Sequence, residues 1–235
     1  MPASGDSSRE PATRQRPVEY HGHNAPPVSD PRVPIALRPA STASTPARSR
    51  LSADGWLAGA ARRPSPNCDE RPAGADVTLV VVHGISLPPG EFRGDGVERL
   101  FTNRLDAGAH PYYASVAHLR VSAHFLVRRD GRVLQFVPCV RRAWHAGVST
   151  WQGRERCNDF SVGVELEGTD TRAYTARQYH RLARIVRALR TRYPIAHVAG
   201  HSDVAPGRKS DPGPAFEWRR LRELLGVGPR ARARA

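Results

Sequence analysis

The sequence predicts an α/β fold: a single domain with a mixed central β-sheet and helices packed against it, behind a disordered N-terminal extension. Three features predict this. Val77-Thr78-Leu79-Val80-Val81-Val82 is a β-branched run without polar alternation, the pattern of a central strand covered on both faces. Val121 to Val127 and Arg132 to Val137 flank Asp130-Gly131, a dipeptide suited to a type I′ turn, and so read as a hairpin. Tyr179, Leu182, Val186, Leu189 and Tyr193 recur at three- and four-residue steps, which makes one apolar face of a helix.

Residues 1–52 are rich in Pro, Ser, Ala and Arg, poor in aromatics and without periodicity, so they read as the disordered extension. The domain proper spans 53–226. Its first long strand is Asp76 to Ile85, followed by the hairpin and by a strand from Phe160 to Leu166. Thr175 can cap a helix from Ala176 to Tyr193, which Pro194 ends. Ile195 to Ala199 is a short strand leading to His201, and Pro214 to Leu225 a final helix with Leu221, Leu224 and Leu225 facing inward. Residues 227–235 form a basic tail that repeats Arg-Ala.

The net charge of +14 invites a nucleic-acid partner, but its distribution argues otherwise. About six of those charges fall in the two terminal segments, and no helix-turn-helix, finger or basic stripe with interleaved aromatics is present. The remaining excess suits a small ligand bearing several carboxylates. No apolar run approaches the ~18 residues of a membrane helix, and Met1 to Glu10 have neither the basic nor the apolar part of a signal peptide. The expectation is a cytoplasmic monomer with no nucleic-acid or membrane partner. Cys68, Cys139 and Cys157 are odd in number and widely spaced, so they read as buried small side chains rather than a disulfide framework or zinc knuckle.

Among 36 basic side chains only Lys209 is lysine. A chain that writes arginine everywhere else keeps a compact, flexible ammonium here, where a planar fork would not meet a small developing charge at close range. Lys209 lies in a loop with His201, Asp203 and Asp211 that ends in Pro212-Gly213-Pro214. His83 closes the most hydrophobic strand, where an imidazole is costly unless hydrogen-bonded or bound to a metal. Two imidazoles, His83 and His201, and the Asp211 carboxylate would leave a tetrahedral zinc ion one open position for water. Spacing alone leaves open whether they meet, since ten histidines offer other combinations. Glu165 is an acid inside a strand, and Gly163 on the same face leaves room for a ligand beside it. Glu165 then suits proton transfer from a zinc-activated water, and Lys209 stabilisation of an oxyanion.

At these residues a resemblance becomes specific. Gly55-Trp56-Leu57, the run Val82-His83-Gly84-Ile85-Ser86-Leu87-Pro88-Pro89-Gly90-Glu91-Phe92, His118 to His124, Arg142-Ala143-Trp144-His145-Ala146-Gly147, Gln152 to Ser161 and Gly200 to Phe216 together resemble the AmpD family. Its members are cytoplasmic anhydro-N-acetylmuramoyl-L-alanine amidases of bacterial cell-wall recycling. The match covers Asp54 to Leu225. It implies the type-2 amidase and peptidoglycan-recognition fold, an anhydro-muropeptide substrate, Zn2+ on His83, His201 and Asp211, and catalytic roles for Glu165 and Lys209. It further implies that Arg120 and Arg156 line the site and contact the muropeptide. The family commonly has asparagine where this chain has Gly84, which puts selectivity for the anhydro sugar in question. His110, His118, His124, His145 and His197 are not expected to bind metal, and His145 either shapes the cleft or packs. Two rival readings are an amidase acting on intact peptidoglycan and a non-catalytic peptidoglycan-binding module; the complete ligand set argues against the second.

Overall fold

Leu79 to Val82, the run without polar alternation, has no solvent exposure and lies in the middle of a seven-stranded sheet. The computed structural model describes residues 34–38 and 50–228 of the chain. In chain order the elements begin with β1 (Ile35–Ala36), β2 (Ala61–Arg62), β3 (Cys68–Glu70) and β4 (Leu79–Ile85). Two short helices follow, α1 (Gly96–Phe101) and α2 (Pro111–Val116), then β5 (Phe125–Val127), β6 (Val133–Gln135), β7 (Arg141–Ala143), β8 (Thr150–Trp151) and β9 (Arg154–Glu155). The last part is β10 (Ser161–Glu167), α3 (Ala176–Arg190), β11 (His197–Gly200), α4 (His201–Val204) and α5 (Trp218–Leu225).

The sheet has the order β1-β11-β4-β10-β5-β6-β2 and is mixed: β4 is parallel to both β10 and β11, whereas β1 and β11, and β5 and β6, pair antiparallel. One face packs Val80, Val82, Val162 and Val164 against the apolar stripe of α3 and, through Leu221, against α5. The other packs Leu79 and Val81 against Ala146, Cys157, Phe160 and Val204. β4 therefore has no wet face, which explains its lack of alternation.

α3 starts where its cap predicts. Thr175 Oγ1 accepts from the Gln178 N–H while the Gln178 side chain accepts from the Thr175 N–H, a capping box. It ends at Arg190, three residues before Tyr193, which closes the last turn by donating its N–H to Leu189. The final helix begins at Trp218 rather than Pro214, because Pro214 to Glu217 form a turn against Asp170 and Tyr179.

The hairpin is present but not with a two-residue turn. Val127 pairs with Val133, and the Arg128 N–H donates to the Arg132 carbonyl around a three-residue loop with Gly131 at φ +86°, the arrangement of a type I turn followed by a bulge. A second departure lies in the span read as an extension. Residues 34–38 join the domain: Ile35 pairs with Val198 at the sheet edge and is 1% exposed. The rest of that span, 1–33 and 39–49, and residues 229–235 of the tail lie outside the described residues. Cys139 and Cys157 are buried and Cys68 half-buried, all as free thiols.

Burying an isoleucine at an edge is worth keeping only if the strand is part of the folded unit. Ile35→Ala is expected to lower the unfolding free energy by about 2–4 kcal/mol, measured by urea denaturation; a change within about 0.5 kcal/mol would show that β1 adds nothing to the domain.

Candidate functional site

β4 and β10 are parallel neighbours with His83 directly opposite Glu165, so imidazole and carboxylate rise from the same face of the sheet. On the other side of β4, β11 ends at Gly200 opposite Val82 and hands the chain to His201, the first residue of α4. Asp211 returns from the following loop. That loop is tied at 2.9 Å by the Ser202 N–H donating to the Asp211 carbonyl, and again at 2.9 Å by the Tyr174 hydroxyl donating to Pro212.

These ties bring the three side chains together. His83 Nδ1 lies 3.0 Å from His201 Nδ1 and 3.2 Å from Asp211 Oδ2, and His201 Nδ1 lies 3.1 Å from Asp211 Oδ1. Donors on a tetrahedral ion with bonds of ~2.0–2.1 Å sit roughly 3.3 Å apart, so the spacing fits one shared cation. The protonation pattern fits too. His201 Nε2 faces the Ala146 carbonyl at 3.2 Å, and because a carbonyl only accepts, that nitrogen carries a proton, which leaves Nδ1 as the nitrogen for a cation. Its Nδ1 faces a carboxylate oxygen 3.1 Å away, a pair that a proton on Nδ1 or a shared cation holds together. Among the described residues this is the one group of three His, Cys, Asp or Glu side chains so placed.

Glu165 and Lys209 line the same cleft, of about 520 Å³, with Trp144, Asp170 and an apolar wall that includes Leu87, Phe101 and Leu119. Glu165 is 7% exposed and its Oε2 has no hydrogen-bond partner among the described residues. Burial, reinforced by the Asp211 carboxylate, pushes its carboxyl well above the usual range, and Lys209 offsets this only in part. Lys209 is exposed at the cleft. Its neighbour Arg208 is committed elsewhere, donating from Nη2 to the carbonyls of Ala146 at 2.7 Å and Val148 at 2.6 Å. Fork and point charge thus have different work in adjacent positions.

Arg120 and Arg156 are not among the residues lining the cleft. The Arg120 guanidinium reaches the carbonyls of Ala117 and His118, and Arg156, in the left-handed region at φ 60°, pairs with Asp159 at 3.3 Å. The space expected beside Glu165 is also taken. A Cβ at Gly163 would strike the His145 ring, so this glycine makes room for a histidine rather than for a ligand. At Gly84 a Cβ would collide with the Tyr174 hydroxyl, so the position that would carry a longer side chain is filled from within the protein.

His145 lines the cleft yet has both ring nitrogens engaged, 3.0 Å from His83 Nε2 and 3.2 Å from Ser161 Oγ. Burial and the surrounding imidazoles hold its pKa well below the ordinary value, so the ring is neutral. His124 is a satisfied core histidine: it accepts from the Gly163 N–H through Nδ1 and faces the Arg141 carbonyl through Nε2. Burial, together with the nearby Arg71, pushes its pKa down to about 3. Of the groups around the cation site, sequence reasoning named His145 only as shaping the cleft or packing, and passed over Ser161 and Tyr174. The glycines facing two of them, Gly163 and Gly84, were the available signal.

A cleft that brings together a candidate three-donor cation site, a buried carboxyl without a hydrogen-bond partner among the described residues and a lysine has the parts a metal-assisted hydrolase needs. Comparison with known proteins narrows it: the family model described as N-acetylmuramoyl-L-alanine amidase matches residues 73–214, and the chain belongs to that family. It is similar to the 1,6-anhydro-N-acetylmuramyl-L-alanine amidase AmpD of Citrobacter freundii, with 60% identity over 174 residues, 73% of this chain and 93% of that protein. The AmpD of Escherichia coli K12 is also 60% identical, over 74% of this chain and 97% of its own length. A crystal structure of a selenomethionine AmpD derivative superposes with a TM-score of 0.73 at 59% identity, covering 74% of this chain and 98% of that one.

Between the ordinary Glu165 pKa of 4.5 and its higher folded-state value, the folded chain holds a proton that the unfolded chain releases. The group's effect on stability is therefore most favourable below 4.5 and worsens as pH rises through that window. In the metal-free protein Glu165→Gln is expected to raise the melting temperature at pH 8 by about 2–4 °C, with the gain shrinking toward pH 4. Melting curves that show no gain at pH 8 would contradict a buried, unpaired carboxyl.

Proposed function

We propose that the chain hydrolyses the amide joining the lactyl group of 1,6-anhydro-N-acetylmuramic acid to L-alanine of the stem peptide, with Zn2+ held by His83, His201 and Asp211. The observation that carries the reading is the convergence of those three donors at 3.0–3.2 Å, beside a buried carboxyl that has no hydrogen-bond partner among the described residues. Similarity to AmpD proteins over nearly their whole length supplies the substrate.

When bound, the zinc ion supplies Lewis acidity toward the scissile carbonyl and toward water. The chain's own residues do the rest. Glu165, across the strand register from His83, takes the proton of the attacking water and returns it to the departing amine. Its raised pKa suits a group that must hold that proton between two steps. The Lys209 ammonium meets negative charge as it develops on the carbonyl oxygen. The apolar wall of Leu87, Phe101 and Leu119 limits water around the reacting amide and strengthens both interactions. Arg120 and Arg156, outside the cleft lining, act in this reading at its approaches, where they attract the carboxylates of the stem peptide. The setting is cytoplasmic recycling of wall fragments, as the family resemblance implies.

Asp211→Ala is expected to abolish zinc retention and activity together, by metal analysis and by mass spectrometry of peptides released from anhydro-muropeptides. Lys209→Arg is expected to keep zinc and lose turnover by roughly 10²–10³-fold; full activity would remove lysine from the mechanism. Release from anhydro-muropeptides is expected to exceed release from intact sacculi, and the reverse order would favour an amidase of the assembled wall.

A further inference from the structure

His83 does not end its hydrogen bonding on a carbonyl or carboxylate, the usual partners of a metal-binding imidazole. Its Nε2 meets a second imidazole, His145 Nδ1, at 3.0 Å. Either ring nitrogen of either histidine could carry the proton if these two residues stood alone. They do not. His145 Nε2 lies 3.2 Å from Ser161 Oγ, and Ser161 Oγ lies 2.5 Å from the Cys157 carbonyl oxygen.

A carbonyl has no proton to give, so the short contact to Cys157 requires the Ser161 hydroxyl to donate there. The one hydroxyl proton is then spent, and Ser161 Oγ can only accept from His145 Nε2. A neutral His145 that donates through Nε2 has a lone pair at Nδ1, which accepts from His83 Nε2. The proton of His83 is thereby on Nε2, and its Nδ1 lone pair is turned toward His201 and Asp211. We infer that Ser161 and His145 are positioning residues: a one-way donor chain, anchored on the Cys157 carbonyl, holds His83 in the tautomer that can bind a metal ion.

The local fold positions every member of this donor chain. Ser161, Gly163 and Glu165 share one face of β10, in register with Leu79, Val81 and His83 of β4. Ser161 contributes the hydroxyl, and the missing side chain of Gly163 gives the His145 ring its seat between Ser161 and His83. The backbone on both sides of the ring is fixed by one side chain, because Asn158 Oδ1 accepts from the N–H groups of His145 at 3.2 Å and Ala146 at 2.8 Å. Ala146 in turn presents the carbonyl that sets the tautomer of His201. A single segment thus orients both imidazoles. The chain also adds no negative charge, so a divalent ion on two neutral imidazoles and one carboxylate keeps a net charge of about +1, more electrophilic than with an acid behind His83.

The inference rests on the proposed metal site for its functional meaning, but the tautomer can be read directly. In full-length protein with 15N-labelled histidine, two-bond 1H–15N NMR correlations are expected to show His145 and His83 protonated at Nε2, with and without zinc. An Nδ1-protonated His145 in the wild type overturns the inference. Ser161→Ala removes the acceptor that selects the tautomer, so His145 is expected to become a mixture of the two forms. The zinc dissociation constant, measured by transfer from the loaded protein to a chelator, is expected to rise roughly 10-fold or more. A variant with an unmixed Nε2 tautomer and an unchanged constant overturns it as well. Wild-type protein that retains no zinc would defeat the metal reading, while the His145 tautomer in that same protein would still decide the donor chain.

Discussion

Three groups that can each offer an electron pair to one cation are held together at the centre of this structure, and the rest of the domain depends on keeping them there. Asp211 and the Nδ1 atoms of His83 and His201 stand 3.0–3.2 Å apart, the two imidazoles buried and the carboxylate half-buried, a geometry that a shared cation fits. The rest of the domain keeps these groups from turning away. β4 and β11 deliver the two histidines from adjacent strands, the Ser202 N–H and the Tyr174 hydroxyl pin the loop that carries Asp211, and the Ala146 carbonyl occupies the far nitrogen of His201. The surrounding sheet, packed on both faces, gives these groups a rigid base.

Glu165 is a cost carried by the same face. A buried polar atom without a partner is worth about 1–3 kcal/mol of lost stability, and among the described residues Glu165 Oε2 has none. Nearby Glu167, two residues on, is treated in the opposite way: it accepts from Arg128 and from the Arg129 N–H. One strand thus carries a carboxylate tied down for structure and another left unpaired at the cleft. Leaving an acid unpaired raises its proton affinity, which is what a group that both takes and returns a proton requires.

Much of this was legible in the sequence for identifiable reasons. The β4 run, the α3 stripe and its Thr175 cap carry local signals whose periods do not depend on distant contacts. The cation site was legible because His83 is chemically out of place in its strand and Asp211 sits beside a rigid turn. The illegible parts depend on tertiary contact. Ile35–Ala36 is two residues inside a stretch of extension-like composition, and its pairing with β11 is made by backbone groups. Gly163 advertised a space, but only the fold shows that His145 fills it. Gly84 likewise carried the signal of a missing side chain without showing that Tyr174 occupies the place. Arg120 and Arg156 carry no positional signal of their own, and the cleft lining does not include them.

The order of the sheet has a consequence for how the molecule meets other copies of itself. Both of its outermost strands, β1 and β2, are two residues long. The long, apolar strands β4 and β10 lie inside, with every ladder position between them matched. Among the described residues a foreign strand approaching either rim therefore meets an edge strand of only two residues, the kind of short edge that disfavours strand-to-strand association.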